Sequence, residues 1–227
     1  YEDASENFMV SDLLIRKIEP KLTPNEKIIL VDSVLLKHSN LFYSNWMIRD
    51  IKPNEKYYSL IKERSKIKTK RCGTQLGSCY ALSKFKKKQD LEFLTNIFKK
   101  LEYPCEDWIF KAIENNPEEI YFPILTKYYE TKIKKIKQDN YEQLKYYCNA
   151  VASFKNKESL NLLTMRLDEK NYPDKWYFKN NKENVFRALH KYKVPVYKDL
   201  YNKLKPEMSK FVMDYIDFVE HEDKPRW

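Results

Sequence analysis

The chain has 227 residues, 42% hydrophobic and 33% charged, with a formal net charge of +10. That balance is globular rather than disordered, and the length suffices for one large domain with a real core. Only Gly73 and Gly77 are glycine, which argues against classes that lean on it: hairpin-rich β-sandwiches, dinucleotide-binding folds and phosphate loops.

No apolar run approaches the roughly 20 residues that span a bilayer, so no membrane insertion is expected. The cysteines are Cys72, Cys79, Cys105 and Cys148, and none forms a CxxC pair. That spacing argues against a zinc ribbon, and four cysteines are too few for a disulfide scaffold. Reduced core thiols are expected, with Cys72–Cys79 the one pairing left open to a disulfide. The chain starts at Tyr1 without Met and shows no signal peptide. Its start is read as a cut end, or as a mature end after signal removal. A cytoplasmic location is expected, or a periplasmic or secreted one if a signal preceded Tyr1. Abundant Lys, Asn, Tyr and Ile suggest an AT-rich bacterial or comparable source.

Helical signals follow one another along the chain. Phe8, Met9, Leu13, Leu14 and Ile18 mark an amphipathic helix stopped at Pro20. Thr23-Pro24-Asn25-Glu26 reads as a capping box with proline at the first helical position. Ile28, Ile29, Leu35 and Leu36 continue that helix. The tetrapeptide PNEK returns at Pro53–Lys56, before Tyr57, Tyr58, Leu60 and Ile61. SKIKTKR at 65–71 reads as a charged loop. Arg71–Cys79 carries both glycines; it is read as a loop into a helix, with Thr74 as N-cap and Gly77 allowing close packing, rather than as an anion nest. Leu91, Leu94, Ile97, Phe98 and Leu101 form a clean helical stripe. Trp108, Ile109, Ala112 and Ile113 make a short partner. Asn116-Pro117-Glu118-Glu119 is read as another helix start, capped by Asn116, leading to Ile120, Ile124, Leu125, Tyr128 and Tyr129, with Ile133 and Ile136 continuing the apolar face. The last helix uses Phe211, Val212, Tyr215, Ile216, Phe218 and Val219. About a dozen helices with short links are expected.

One stretch occurs nearly twice. ALSKFKKKQDLEFLT (81–95) and AVASFKNKESLNLLT (150–164) are identical at seven of fifteen positions, 69 residues apart. A looser echo runs from Ala188 to Tyr192, then Lys193, Pro195, Leu200 and Leu204. Each copy reads as helix, turn, helix, and another hairpin fits between the first two. Two units of about 35 residues per repeat are what stacked helical pairs require. The chain here resembles the HEAT-like, armadillo-related α-solenoids over roughly residues 74–221. The resemblance is carried by Ala81/Phe85, Ala150/Phe154 and Ala188/Tyr192 at the end of each first helix, and by the leucine-rich helix that follows. Asp90 and Asp199 match that family's acidic turn position only in part. The resemblance implies an all-α, right-handed solenoid of antiparallel hairpins. Residues 1–70 are expected to be an atypical cap, and 71–227 the repeats with a capping C-terminal helix, in one continuous domain.

Charge is unevenly spread. Residues 62–100 hold twelve Lys/Arg and three acids, whereas 210–223 hold five acids and one Lys. Lys86, Lys87 and Lys88 sit at the first repeated turn, Lys155 and Lys157 at the second, Lys191 and Lys193 at the third. In a solenoid equivalent turns line up, so a basic edge is expected, extended by Lys68, Lys70 and Arg71 if they lie nearby. His38, His190 and His221 have no metal-ligand spacing, and no nucleophile motif occurs. Neither a metal, nor a cofactor, nor a catalytic residue is expected. The favoured reading is a non-enzymatic solenoid that binds an acidic protein surface, of the adaptor or toxin-neutralising kind. The alternative is nucleic-acid binding. The chain is similar to HEAT-like DNA glycosylases in size, charge and helical repeat, which would use Asp107, Trp108, Trp176 and Tyr177, a carboxylate beside stacking aromatics. No catalytic motif of that family aligns with this chain.

Overall fold

The computed structural model describes residues 17–18, 21–37, 47–49, 51–68, 72–100, 106–131, 143–172 and 175–219. These residues are helical with connecting turns, and none of them forms a strand, in line with the all-α expectation. Phe8–Leu14 of the first expected helix, His38, Lys70, Arg71, Leu101, Cys105, Ile133, Ile136 and His221 lie outside the described residues. The chain divides between Phe85 and Lys86 into two compact units.

The first unit contains α1 (Pro24–Asp32, continued by a π-helical turn Ser33–Lys37), α2 (Glu55–Lys66) and α3 (Cys72–Ser83). The two PNEK tetrapeptides start their helices in different registers. At α1 the cap is Thr23: its Oγ1 accepts from the Glu26 amide (3.4 Å), and Glu26 accepts from the Thr23 amide (2.8 Å). Proline is then the first helical residue. At α2 the residue before proline is Lys52, which offers no acceptor. Asn54 therefore becomes the cap, accepting from the Lys56 amide at 3.2 Å, and Pro53 stays outside. Asp32 joins the two helices, accepting from Lys56 Nζ (2.8 Å) and from the Tyr57 hydroxyl. Val31, Leu35, Met47, Ile48, Tyr57, Ile61, Leu76 and Leu82 are buried around them.

Two local expectations need correction. α2 runs through Ser65 and Lys66, two residues into the stretch read as a loop. Ser65 is buried there because its hydroxyl is satisfied within the helix, by the Lys62 carbonyl at 2.7 Å. α3 begins at Cys72, so Thr74 stands inside the first turn and is not the N-cap. Cys79 is a buried free thiol. Cys72 is seven positions earlier on the same helix, about 10.5 Å by helical rise, which is beyond the reach of a disulfide. Gly77 does serve close packing. A Cβ there would lie 2.8 Å from Arg49 Cδ.

The second unit contains α4 (Leu91–Phe98), α5 (Glu106–Asn115), α6 (Phe122–Thr131), α7 (Gln143–Ala152), α8 (Lys157–Met165), α9 (Lys175–Tyr192), α10 (Lys198–Leu204) and α11 (Lys210–Val219). α7 packs against both α5 and α9. Near their starts, Trp108 and Tyr146 share the Lys111 ammonium; at their ends, Glu114 of α5 accepts from Tyr192 of α9. The three helices therefore run the same way. Each is followed by an antiparallel partner: Leu144, near the start of α7, meets Arg166 just past the end of α8. The partners share a direction too. Tyr129 of α6 donates to the Met165 carbonyl of α8 (3.0 Å), and Ser159 Oγ of α8 lies 2.6 Å from the Tyr197 hydroxyl just before α10. The core between the layers is aromatic. The rings of Phe110, Tyr128 and Tyr147 are 4.8–5.5 Å apart, all buried.

The second helix of each pair starts at Lys88, Glu119, Lys157 and Pro195, spacings of 31, 38 and 38 residues. Three of the four begin with a short 3-10 turn, at Lys88–Asp90, Glu119–Tyr121 and Pro195–Tyr197. Asn116 is not the cap expected of it. Its amide donates back to Ala112 and Ile113, so it closes α5, and the turn opens after Glu118 instead.

The duplicated stretch repeats several local features of the backbone as well. α3 and α7 end at Ser83 and Ala152, 69 residues apart. Thr95 and Thr164 donate to the carbonyls of Leu91 and Leu160, four residues back in each case (2.6 and 2.9 Å). Among the described residues the non-glycine left-handed positions are Lys86 (φ 53°) and Lys155 (φ 58°), again 69 apart. A side chain in that conformation costs about 1–2 kcal/mol, and glycine is the usual occupant after a helix. Lys86→Gly is expected to stabilise the protein by about 1 kcal/mol, a rise of about 2–4 °C in melting temperature. Lys155→Gly should gain less, because Lys155 also contacts the Tyr192 ring. Calorimetric melts of the two variants check this; equal or negative shifts would contradict it.

Candidate binding edge

The turns that follow α5, α7 and α9 lie against one another. Phe122, after the first of them, packs on Phe154 in the second (5.3 Å between ring centres). Lys155 Nζ, in the second, stands 5.5 Å from the centre of the Tyr192 ring in the third. The Tyr192 hydroxyl donates to Glu114 Oε1 at 2.7 Å, and Lys191 Nζ is 3.0 Å from the same oxygen. Burial first, then the Glu114 carboxylate, push the Tyr192 hydroxyl well above the usual phenol range. Three successive helix ends thus meet in four side chains: Glu114, Lys155, Lys191 and Tyr192.

Of the expected basic residues, Lys155 and Lys191 are brought together around Tyr192. Lys157 and Lys193 are exposed on the same two turns. Lys86 and Lys88 are exposed and Lys87 half-exposed; their turn shares its left-handed residue with the Lys155 turn. Lys68 is exposed beyond the end of α2, in the first unit.

The sequence reading passed over the turn between the lysine-bearing copies. It carries Glu114, Glu118 and Glu119, with Glu119 exposed and Glu118 half-exposed. In chain order the edge from α5 to α9 is therefore acidic, basic, basic. The signal was available in NPEE, which had been read as a helix cap.

The residues of the alternative site lie at the opposite ends of the same helices. Asp107 and Trp108 are in the first turn of α5, and Trp176 and Tyr177 in the first turn of α9, with α7 packed on both helices. Lys111 Nζ sits 4.3 Å from the Trp108 ring centre and 4.2 Å from that of Tyr146, and 3.8 Å from Asp107 Oδ2. One face of Trp108 and the carboxylate beside it are thus engaged by the chain's own lysine. Tyr177 is buried, and Trp176 is 58% exposed.

His190 is buried on α9, with Nδ1 3.1 Å from the Tyr201 hydroxyl. Among the described residues no group of His, Cys, Asp and Glu is arranged to hold a metal ion, and no helix is long and apolar enough to cross a membrane. No protein-family model matches the chain, and no curated protein or solved structure is significantly similar to it.

Proposed function

We propose that the helix pairs of the second unit are turns of a right-handed, HEAT-like α-solenoid. Its work is to bind a protein partner, in the manner of an adaptor or a toxin-neutralising protein, through the aligned turns and the concave face that stacked pairs create. The repeat spacing and the common direction of α5, α7 and α9 support the architecture. One observation carries the functional reading: lysine occupies the left-handed position at both Lys86 and Lys155. Glycine would be easier on the backbone at both positions, and the contact of Lys155 with the Tyr192 ring accounts for lysine at the second of them only. Retaining a strained, charged residue at two equivalent turns is understandable if the side chain makes a contact outside the chain. The contact would be with carboxylates of an acidic surface.

The test uses a labelled 12-residue Asp/Glu/Ser peptide and a neutral peptide of the same length. The wild-type chain should prefer the acidic peptide, with an affinity that falls as salt rises. Lys155→Glu with Lys157→Glu should weaken acidic binding about tenfold or more, chiefly through slower association. Equal binding of both peptides, or no response to the double reversal, would sink the proposal.

A further inference from the structure

The edge that this reading assigns is not uniformly basic, and the interruption has a consequence for what can lie on it. A nucleic-acid backbone presents one negative charge after another at a spacing of a few ångströms. A strand laid along the turns after α5, α7 and α9 would meet Lys155, Lys157, Lys191 and Lys193, but also Glu118 and Glu119. Glu114 draws the charge of Lys191 inward at 3.0 Å, which leaves less of it for an external anion. Glu158 follows Lys157 on the second turn. A polypeptide differs from a polyphosphate in that its charges can alternate in sign. Neighbouring helices stand 8–10 Å apart, so three turns span about 20 Å, which about six or seven extended residues cover.

We infer that the turns after α5, α7 and α9 form one mixed-charge edge that takes an extended protein segment with acids against Lys155–Lys193 and bases against Glu118–Glu119, and that the glutamates exclude nucleic acid. The inference rests on the edge proposed above and adds the chemistry of its occupant. Like charges brought face to face are what rejects a wrong partner. The two exposed lysine turns supply attraction, and the glutamate turn supplies the discrimination that lysines alone lack.

The experiment measures fluorescence anisotropy of the full chain with three labelled probes. One is a 12-residue peptide with an acidic half and a basic half, one an acidic peptide of equal length, and one a 12-nucleotide single-stranded DNA. Glu118→Lys with Glu119→Lys should tighten DNA binding about tenfold or more at low salt, and steepen its salt dependence by about one in log–log slope. The same variant should reverse the preference from the bipolar peptide to the acidic one. Glu118→Gln with Glu119→Gln, which leaves the helix start less perturbed, should move both quantities the same way by a smaller factor. DNA binding no tighter in either variant than in wild type would overturn the inference, as would wild-type DNA binding already equal to that of the lysine variant. If Lys155→Glu with Lys157→Glu weakens peptide binding while the glutamate variants change nothing, the edge stands and the mixed-charge reading falls. If neither pair has an effect, both fall.

Discussion

Asn181→Leu is expected to cost about 3–5 kcal/mol of folding stability, and Arg166→Met made together with it should recover most of that loss. Arg166 follows α8 and is fully buried. Its guanidinium donates to Asn181 Oδ1 and to the Leu144 carbonyl (3.5 Å), and lies 5.3 Å from the centre of the Tyr147 ring. Nε has no acceptor among the described residues. Asn181 also returns a bond, its Nδ2 donating to the Arg166 carbonyl at 2.8 Å, where the Tyr172 hydroxyl donates as well at 2.7 Å. These partners are neutral amides, a phenol and a ring face. With Asn181 gone, the charge keeps one long carbonyl bond and a ring, on a fully buried side chain. That is the situation in which a buried ion costs most. Replacing both members by apolar residues removes the charge and its need together. The repeat itself says the position tolerates this: its counterparts in the other pairs are Ile97, Tyr128 and Leu204. Urea unfolding of the two single variants and the double gives the coupling directly. Additive costs, with the double variant the least stable, would show that the pair is not a unit.

That arginine marks how far the sequence could be read. Helices were legible because their apolar stripes and caps are local, and the duplicated hairpin because seven identities at one spacing are a strong signal. The register of the second PNEK was not legible from the motif itself, because a cap depends on the residue before it, Thr23 in one case and Lys52 in the other. Asn116 was taken for a cap because the sequence does not show which helix its amide serves. The lysines at 86 and 155 were visible as a repeat, but their backbone conformation was not; only the fold reveals that they hold positions where glycine is easier. Arg166 gave no signal at all. Its burial follows from α7 and α9 converging on the end of α8, contacts made across 15 to 22 residues. The acidic turn after α5 belongs to neither copy of the duplicated stretch, so the repeat gives no sign that it lies beside the Lys155 turn.

Alkaline unfolding offers the largest effect of pH. Burial holds the hydroxyls of Tyr128 and Tyr147 well above the usual phenol range, and raises Tyr172 to about 12 and the Cys79 thiol to about 12. All four are neutral when folded, and in the unfolded chain they titrate near 10 for tyrosine and 8.5 for cysteine. A folded pKa above the unfolded one means that the stabilisation is complete below the unfolded value and is lost as pH rises through the folded one. At pH 11 each tyrosine has given up roughly 1 kcal/mol, a figure set by the unfolded chain alone while the folded hydroxyl stays protonated, and Cys79 roughly 3 kcal/mol. The three tyrosines all belong to the second unit and together give up roughly 3 to 4 kcal/mol there, while Cys79 gives up its roughly 3 kcal/mol in the first; each is a large share of the stability of an ordinary domain. Helical circular dichroism should therefore be flat from about pH 6 to 8 and fall near pH 11, with the buried tyrosines ionising as the second unit unfolds. The comparison that decides is between the two signals. Tyrosinate absorbance rising to completion near pH 10, with the helical signal intact, would show that these rings are open to water and that the aromatic layer between α5, α6 and α7 is not the closed core described above. Cys79→Ala should move the loss of the first unit's helical signal to higher pH, because it removes the group there whose loss begins earliest.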